Sequence, residues 1–166
     1  MGILGGTAAF MICALWGISK GAMLSMREEI MRCFSMDMEA LAAEMEYRPR
    51  NIRDTVEKLQ GRRLWGFWSR LCDEIADSQG AEPAWRRAAE EYDGFKVLSD
   101  QELQLIAEAG RAIGQRSMES SIKAMRRCAD EAEERARELQ KLSMKMGTVY
   151  RKLGLLGGLA ALLLIA

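Results

Sequence analysis

The sequence predicts an all-α, membrane-anchored bundle of about six helices with long antiparallel first and last helices. Charged residues are absent from both ends of the chain, residues 1–19 and 153–166. Only two prolines occur, and no stretch alternates apolar with polar residues for long enough to suggest a strand. Apolar residues instead recur at three- and four-residue steps, which is typical of helices that bury one face.

The N-terminal part, residues 1–20, is predicted to be a transmembrane helix. Its uncharged stretch is close to the roughly 20 apolar residues that cross about 30 Å of hydrocarbon. A cleaved signal peptide is the alternative, but no Lys or Arg precedes the apolar run and no clear small-residue cleavage site follows it. We therefore expect an uncleaved anchor.

The C-terminal part, residues 149–166, is predicted to be a second hydrophobic membrane segment. It ends in LGLLGGLAALLLIA, which at about 1.5 Å per residue is too short to span unless the helix begins near Thr148. The side chains of Arg151 and Lys152 would then have to reach back to the membrane surface. A half-inserted tail or a buried core helix is the alternative; we expect insertion.

The basic residues beside these segments indicate their orientation. The flanks facing the middle of the chain carry Lys20, Arg27, Arg32, Lys141, Lys145, Arg151 and Lys152. Because basic flanks stay on the cytoplasmic side, residues 21–148 should form a cytoplasmic helical bundle. The cytoplasm is reducing, so Cys33, Cys72 and Cys128 need not pair, and Cys13 lies in the first apolar segment.

Residues 21–148 contain several predicted helices. The first should continue to about Glu46 with one apolar face, and three shorter helices should follow before a capping box at Ser99 and Glu102 begins the next. Gly114 suits the end of that helix. The predicted buried faces contain Met23, Ile30, Phe34, Met38, Leu41 and Met45, then Ile52, Val56 and Leu59, then Leu64, Phe67, Trp68, Leu71 and Ile75, then Trp85, Ala88 and Tyr92.

The final helix carries a heptad seam, because its apolar residues alternate four- and three-residue steps. The seam comprises Met118, Ile122, Met125, Ala129, Ala132, Ala136, Leu139, Ser143, Met146, Tyr150 and Leu153. Small alanines in its middle allow a neighbouring helix to approach closely. We expect the first long helix, running antiparallel, to be that neighbour; a homodimeric coiled coil is the alternative.

Groups typical of an enzyme are missing from this sequence. The chain has no histidine, no Cys-x-x-Cys pair and no G-x-x-x-x-G-K-[ST] phosphate loop. No assembled acid, base or nucleophile can be recognised. We therefore expect a protein that is not an enzyme, without catalytic, cofactor-binding or metal-binding residues.

Two groups of residues are candidates for binding a partner. Trp65, Phe67 and Trp68 could form an exposed docking patch, but their helical spacing favours the core. The paired arginines Arg62, Arg63, Arg86 and Arg87 are candidate contacts for an acidic partner, and we expect them at the end of the hairpin away from the membrane. Ordinary solvated charges are the alternative interpretation for these arginines.

Four segments show a resemblance to a known family. They are LAAEMEYRPRNIRDTVEKL at 41–59, AWRRA at 84–88, LSDQELQLIAEAGRAIG at 98–114 and YRKLGLLGGL at 150–159. In these segments the chain resembles stage III sporulation protein AB. The resemblance implies a two-span component of the channel complex between mother cell and forespore. Its cytoplasmic domain is similar to that of the type II secretion F family, platform proteins that engage a secretion ATPase.

The resemblance therefore implies a non-enzymatic membrane adaptor in the mother-cell side of the membrane that engulfs the forespore. Its partners would be a secretion-type motor ATPase, other membrane channel components and membrane lipid, but not nucleic acid. A structural membrane protein that forms homo-oligomers, with no ATPase partner, is the alternative.

Overall fold

The computed structural model describes the backbone of residues 2–47, 52–77, 80–113 and 117–165, and the side chains of residues 21–47, 54–76, 80–113 and 117–146. In these ranges every regular element is helical, which confirms the predicted all-α class. The six α-helices are α1 (Gly2–Tyr47), α2 (Ile52–Glu57), α3 (Trp65–Asp77), α4 (Ala81–Glu91), α5 (Asp100–Ile113) and α6 (Met118–Ile165). A 3-10 helix, Asp93–Val97, links α4 to α5.

The chain divides into two compact units. Residues 1–26 and 137–166 form the terminal unit, and residues 27–136 form the central unit. The long helices α1 and α6 contribute residues to both units, whereas the short helices belong to the central unit alone.

In the terminal unit, α1 and α6 contact each other through the hydroxyl groups of Ser25 and Ser143, whose oxygens are 3.2 Å apart. Met23, which was predicted to be buried, is 43% exposed here, so that prediction is wrong. Among the described residues, no helix has a stretch that is both long enough and apolar enough to cross a membrane. The two predicted membrane segments, residues 1–20 and 149–166, lie outside the described side chains.

In the central unit, α1 and α6 run antiparallel. The side chains of Glu46, near the end of α1, and Arg126, near the start of α6, form an ion pair of 2.5 Å. At the opposite end of this unit, Arg27 and Arg135 both bind Glu102. This arrangement confirms the antiparallel pairing that the heptad seam predicted.

The seam itself is buried over its middle part, which comprises Met125, Ala129, Ala132, Ala136 and Leu139. Residues of this same chain therefore cover the seam. Met118, predicted as its first member, is 45% exposed, so the seam begins later than expected.

The remaining predicted faces agree closely with the structure. The residues buried as expected are Ile30, Phe34, Met38, Leu41, Val56, Leu59, Leu64, Phe67, Trp68, Leu71, Trp85 and Ala88. Met31 and Ala42 also join the core from α1. The apolar periodicity thus identified the buried face of each helix in the central unit.

The start of α5 differs in detail from the prediction. The backbone N–H of Ser99 donates to the Glu102 carboxylate at 2.7 Å, but the Ser99 hydroxyl is buried without a hydrogen-bond partner among the described residues. Only half of the capping box is therefore formed. Helix α4 begins at Ala81, and Pro83 lies in its first turn, where a missing N–H costs nothing. Gly114 lies outside the described residues.

The turn between α2 and α3 depends on Gly61. Its φ of +83° lies in the left-handed region that glycine adopts without steric cost. This turn directs the chain back toward α1 and carries Arg62 and Arg63, two of the candidate contact residues.

Candidate functional site

An aromatic cluster fixes the short helices of the central unit. The Phe67 ring lies 4.8 Å from Trp68, 5.0 Å from Trp85 and 5.0 Å from Phe95 between ring centroids. The Phe67–Trp68 and Phe67–Trp85 pairs have the edge-to-face geometry that aromatic quadrupoles favour. Phe67 and Trp68 are fully buried, so the core interpretation is confirmed for them and they do not form a docking patch, whereas Trp65 is half-buried.

Helix α4 is held against α5 by Trp85. Its indole N–H donates to the backbone carbonyl of Ile106 at 2.8 Å. The indole ring also occupies the space that a Cβ at position 110 would need, so only glycine permits this approach. Gly110 therefore serves close helix packing.

A groove of about 510 Å³ lies between α4, the 3-10 helix and α5, and we call it the α4–α5 groove. Its lining includes the buried rings of Trp85 and Phe95, together with Ile106. Leu103, on α5, lines the groove and remains 38% exposed. The groove therefore offers an apolar surface on a rigidly packed base, the combination that protein and peptide sites commonly use.

Charged residues surround this apolar surface. Arg111 approaches Glu82 only loosely, at 3.8 Å with both side chains more than half exposed. Lys96 also lines the groove and pairs with Asp93, which does not line it. Arg86 and Glu90 lie one helical turn apart on α4 and form no ion pair or hydrogen bond with any described residue. One cation and one anion are thus available at the groove for contacts with a partner.

The four arginines predicted as contacts occupy three different environments. Arg63 pairs with Glu29 on α1 at 3.2 Å, and Arg87 pairs with Glu74 on α3 at 2.5 Å. All four residues of these pairs are at least a quarter exposed. Arg86 is the one of the four that lines the α4–α5 groove. Arg63 and Arg87 thus bind acidic residues of two different helices, and Arg86 lies at the groove.

Arg62 has a structural partner that the sequence did not reveal. Its guanidinium donates to Oδ1 of Asp37 at 2.9 Å, and the indole N–H of Trp68 donates to Oδ2 at 2.7 Å. Asp37 is only 1% exposed, so Arg62 neutralises a carboxylate inside the core. We therefore expect substitution of Arg62 to lower the stability of the fold.

The Gly61 turn brings Arg63 to α1, where its guanidinium group lies 3.2 Å from the carboxylate of Glu29. The location of the arginine pairs away from the membrane stays a prediction.

Glu102 forms a second buried charge cluster. Its carboxylate accepts two hydrogen bonds from Arg27, one from Arg135 at 3.2 Å and one from the Ser99 N–H. Burial alone would raise the pKa of Glu102, but the Arg27 and Ser99 hydrogen bonds outweigh burial and hold the pKa below its usual range. The charged Glu102 carboxylate therefore links α1, α5 and α6. Its helix position indicated a cap, but the sequence contains no signal for the arginines it binds.

Cysteines and acidic residues offer little reactive chemistry in the described part of the chain. Cys33 is half-buried, whereas Cys72 and Cys128 are buried, and all three are free thiols. Burial raises the pKa of the Cys33 and Cys128 thiols, which keeps them protonated near neutral pH. Among the described side chains, no group of three metal-binding residues converges.

The fold and the groove together define an all-α bundle with an open, charge-rimmed helix groove on its surface. The chain belongs to the stage III sporulation protein AB family, whose family model matches residues 2–166. The resemblance seen in the sequence is thereby confirmed, and the protein is related to sporulation. Neither the curated proteins nor the solved structures contain a match to this chain.

Proposed function

We propose that this protein is a non-enzymatic membrane adaptor that docks a cytoplasmic secretion-type motor ATPase to membrane components of a sporulation channel. Membership of the sporulation family supports the cellular setting. The α4–α5 groove, with its apolar lining and unpaired Arg86 and Glu90, is the observation that carries the docking role. The ATPase contacts the central unit at this groove.

The shape and chemistry of the groove favour a helix as the docked element. Apolar side chains at one face of an amphipathic helix can enter the space beside Leu103, as in other helix-in-groove complexes. An acidic residue of that helix faces Arg86 and a basic one faces Glu90. Such rim charges contribute mainly to encounter rate and partner choice, and the apolar contact supplies affinity.

The four predicted arginines therefore have separate roles in this proposal. Arg86 contacts the ATPase directly. Arg63 and Arg87 lie outside the groove lining, and their exposed pairs with Glu29 and Glu74 contribute little to stability. Arg62 supports the fold through Asp37 and contributes to docking only indirectly.

The membrane attachment is also part of the proposal. Residues 1–20 and 149–166 insert into the mother-cell membrane around the forespore, and the central unit faces the mother-cell cytoplasm. The absence of charge from residues 1–19 and 153–166, and the basic residues on their inner flanks, support this orientation.

The absence of catalysis rests on the amino acids of the chain. A protein without histidine lacks the side chain that most often transfers protons near neutral pH. The two buried carboxylates, Asp37 and Glu102, are held by arginine and other N–H donors, which leaves them poorly suited to accept a substrate proton. The protein acts instead by binding.

Recruitment to vesicles tests the adaptor role. The full chain is reconstituted into phosphatidylcholine vesicles, and the secretion-type ATPase of the same organism is added before flotation. We expect the ATPase to float only with vesicles that contain the chain, while the chain alone hydrolyses no ATP. If the chain floats and self-associates but the ATPase never floats with it, the protein is a structural oligomer and not an adaptor.

A further inference from the structure

Charge is distributed very unevenly between the two units. The terminal unit contains six basic residues, Lys20, Arg137, Lys141, Lys145, Arg151 and Lys152, and one acidic residue, Glu138. The central unit holds the other 18 basic and 23 acidic residues of a chain whose net charge is zero. No Asp or Glu occurs before Glu28 or after Glu138. The terminal unit is therefore strongly basic and the central unit is acidic.

Apolar side chains are exposed beside these basic residues. Around the Ser25–Ser143 contact, the exposed fractions are 43% for Met23, 42% for Met26, 46% for Leu142 and 61% for Met144. They are four of the eight large hydrophobic residues exposed among the described side chains. The terminal unit supplies only residues 21–26 and 137–146 of that described part. Exposed apolar residues are thus concentrated in this unit.

We infer that this surface, formed by Met23, Met26, Lys141, Leu142, Met144 and Lys145, binds the head groups of anionic phospholipids. We call it the basic-apolar collar. Both lysines are exposed, and they lie on α6 within one turn of Leu142 and Met144. The inference rests on the membrane attachment proposed above.

Charge complementarity and continuity with the apolar segments favour a lipid occupant. None of the six collar residues is acidic, and Glu138, one turn before Lys141, is the one acidic residue of a unit that has six basic ones. A negatively charged surface therefore meets net positive charge there. Residues with exposed apolar bodies and flanking lysines suit the boundary between head groups and acyl chains, where the methyl ends enter the lipid and the ammonium groups contact phosphate. In sequence, only Lys20, Gly21 and Ala22 separate Met23 from the first uncharged stretch, and residues 146–152, which include the basic Arg151 and Lys152, separate Lys145 from the second.

The size of the effect follows from membrane electrostatics. A lysine close to an anionic leaflet strengthens association by roughly fivefold, so the two lysines together give on the order of 25-fold. Salt weakens this contribution because its range is about 8 to 10 Å at physiological ionic strength. Zwitterionic lipid has no net charge, so the two lysines do not strengthen association with it in this way.

Thermal unfolding in lipid nanodiscs tests the inference. The full chain is placed in phosphatidylcholine discs, with or without phosphatidylglycerol, and its Tm is measured. We expect phosphatidylglycerol to raise the Tm by several degrees, because a ligand that binds the folded state stabilises it. Lys141→Gln with Lys145→Gln should remove most of this rise, whereas Lys141→Arg with Lys145→Arg should keep it. Lys123→Gln with Arg127→Gln, in the exposed ion pairs of the same helix, is the matched control and should also keep the rise.

The outcomes separate this inference from the membrane proposal. A chain that floats with phosphatidylcholine vesicles but shows no Tm rise with phosphatidylglycerol overturns the lipid site and leaves the membrane attachment intact. An equal rise in the double glutamine variant also overturns it. If the glutamine variant instead loses ATPase binding with an unchanged lipid effect, the collar is a protein contact and the inference is wrong. A chain that floats neither with phosphatidylcholine vesicles nor with vesicles that also contain phosphatidylglycerol refutes the membrane attachment itself.

Discussion

The guanidinium group of Arg27 and the carboxylate of Glu102 form two parallel hydrogen bonds, with Nε to Oε2 at 2.9 Å and Nη2 to Oε1 at 2.7 Å. Arg135 binds the same carboxylate from α6, so one side chain of α5 links both long helices. Glu102 is fully buried, whereas Arg27 and Arg135 keep 17% and 25% of their side-chain surface exposed. This cluster should be among the strongest polar contributions to the stability of the central unit.

Replacing Glu102 by Gln should lower the free energy of unfolding by about 3 kcal/mol or more, because the change removes the buried negative charge that Arg27 and Arg135 both bind. Glu131→Gln, which removes an exposed pair with Arg127, is the control and should change stability by about half a kcal/mol or less. Urea unfolding of the full chain in detergent measures both. Equal losses for the two variants would show that the cluster adds no stability.

The same cluster should make stability depend on pH in acid. Its hydrogen bonds keep the pKa of Glu102 below the ordinary value of 4.5, so the folded state binds fewer protons than the unfolded state. The stabilisation is complete above about pH 4.5 and is lost as the pH falls through the lower, folded-state pKa. The difference in unfolding free energy between wild type and Glu102→Gln should therefore shrink as the pH is lowered below about 4.5. A difference that stays constant in acid contradicts this explanation.

Adjacent arginines in the Gly61 turn should respond differently to substitution. Arg62→Ala should cost about 1 to 3 kcal/mol, because it leaves one oxygen of the buried Asp37 carboxylate without its partner. Arg63→Ala should cost about half a kcal/mol at most, since Glu29 is 53% exposed. Urea unfolding of the two variants gives the comparison. A smaller loss for Arg62→Ala than for Arg63→Ala would show that Asp37 does not need this partner.

Thiol labelling should report the side of the membrane on which the central unit lies. In a Cys13→Ser chain, a membrane-impermeant maleimide should leave intact cells unlabelled. After lysis it should modify the half-buried Cys33 before the buried Cys72 and Cys128. Raising the pH should speed the reaction, because burial raises the pKa of the Cys33 thiol and the thiolate is the reactive form. Labelling of Cys33 in intact cells, absent in a Cys33→Ser control, would reverse the proposed orientation.

Periodicity in the sequence predicted most of the central unit, because each helix there has one wide apolar stripe. Phe34, Met38 and Leu41 on α1 and the alanines of α6 are buried as expected. The seam predicted that another helix covers α6, and the antiparallel pairing with α1 followed from the expectation that both long helices return to the same membrane. The errors lie at the edges of these stripes. Met23 and Met118 continue the three- and four-residue spacing, but their side chains are exposed.

The charge clusters and the groove could not be predicted in the same way. An acidic residue in a helix is ordinarily solvated, and no spacing indicates that Arg27 reaches Glu102 across 75 residues. The groove depends on how closely α4 approaches α5, which is set by the Trp85 ring against Gly110. The paired arginines can be recognised in the sequence. Only the structure shows that Arg86 lines the groove, whereas Arg62 binds the buried Asp37.

Binding of the secretion-type ATPase to groove variants tests the adaptor account most directly. The dissociation constant is measured by titrating the ATPase into the full chain in nanodiscs. Arg86→Glu with Leu103→Asp should weaken binding at least about tenfold, since it reverses the free charge and places a carboxylate on the apolar lining. The control pair, Arg127→Glu with Met118→Asp, makes the same changes at exposed sites of α6 and should bind as the wild type does.

Both double variants should retain the wild-type Tm, which shows that any loss is due to the contact surface. The account predicts tight binding by wild type and control, with a loss confined to the groove variant. Equal affinity of groove variant and control would refute the groove as the docking site. No binding by the folded wild-type chain would contradict the adaptor role itself.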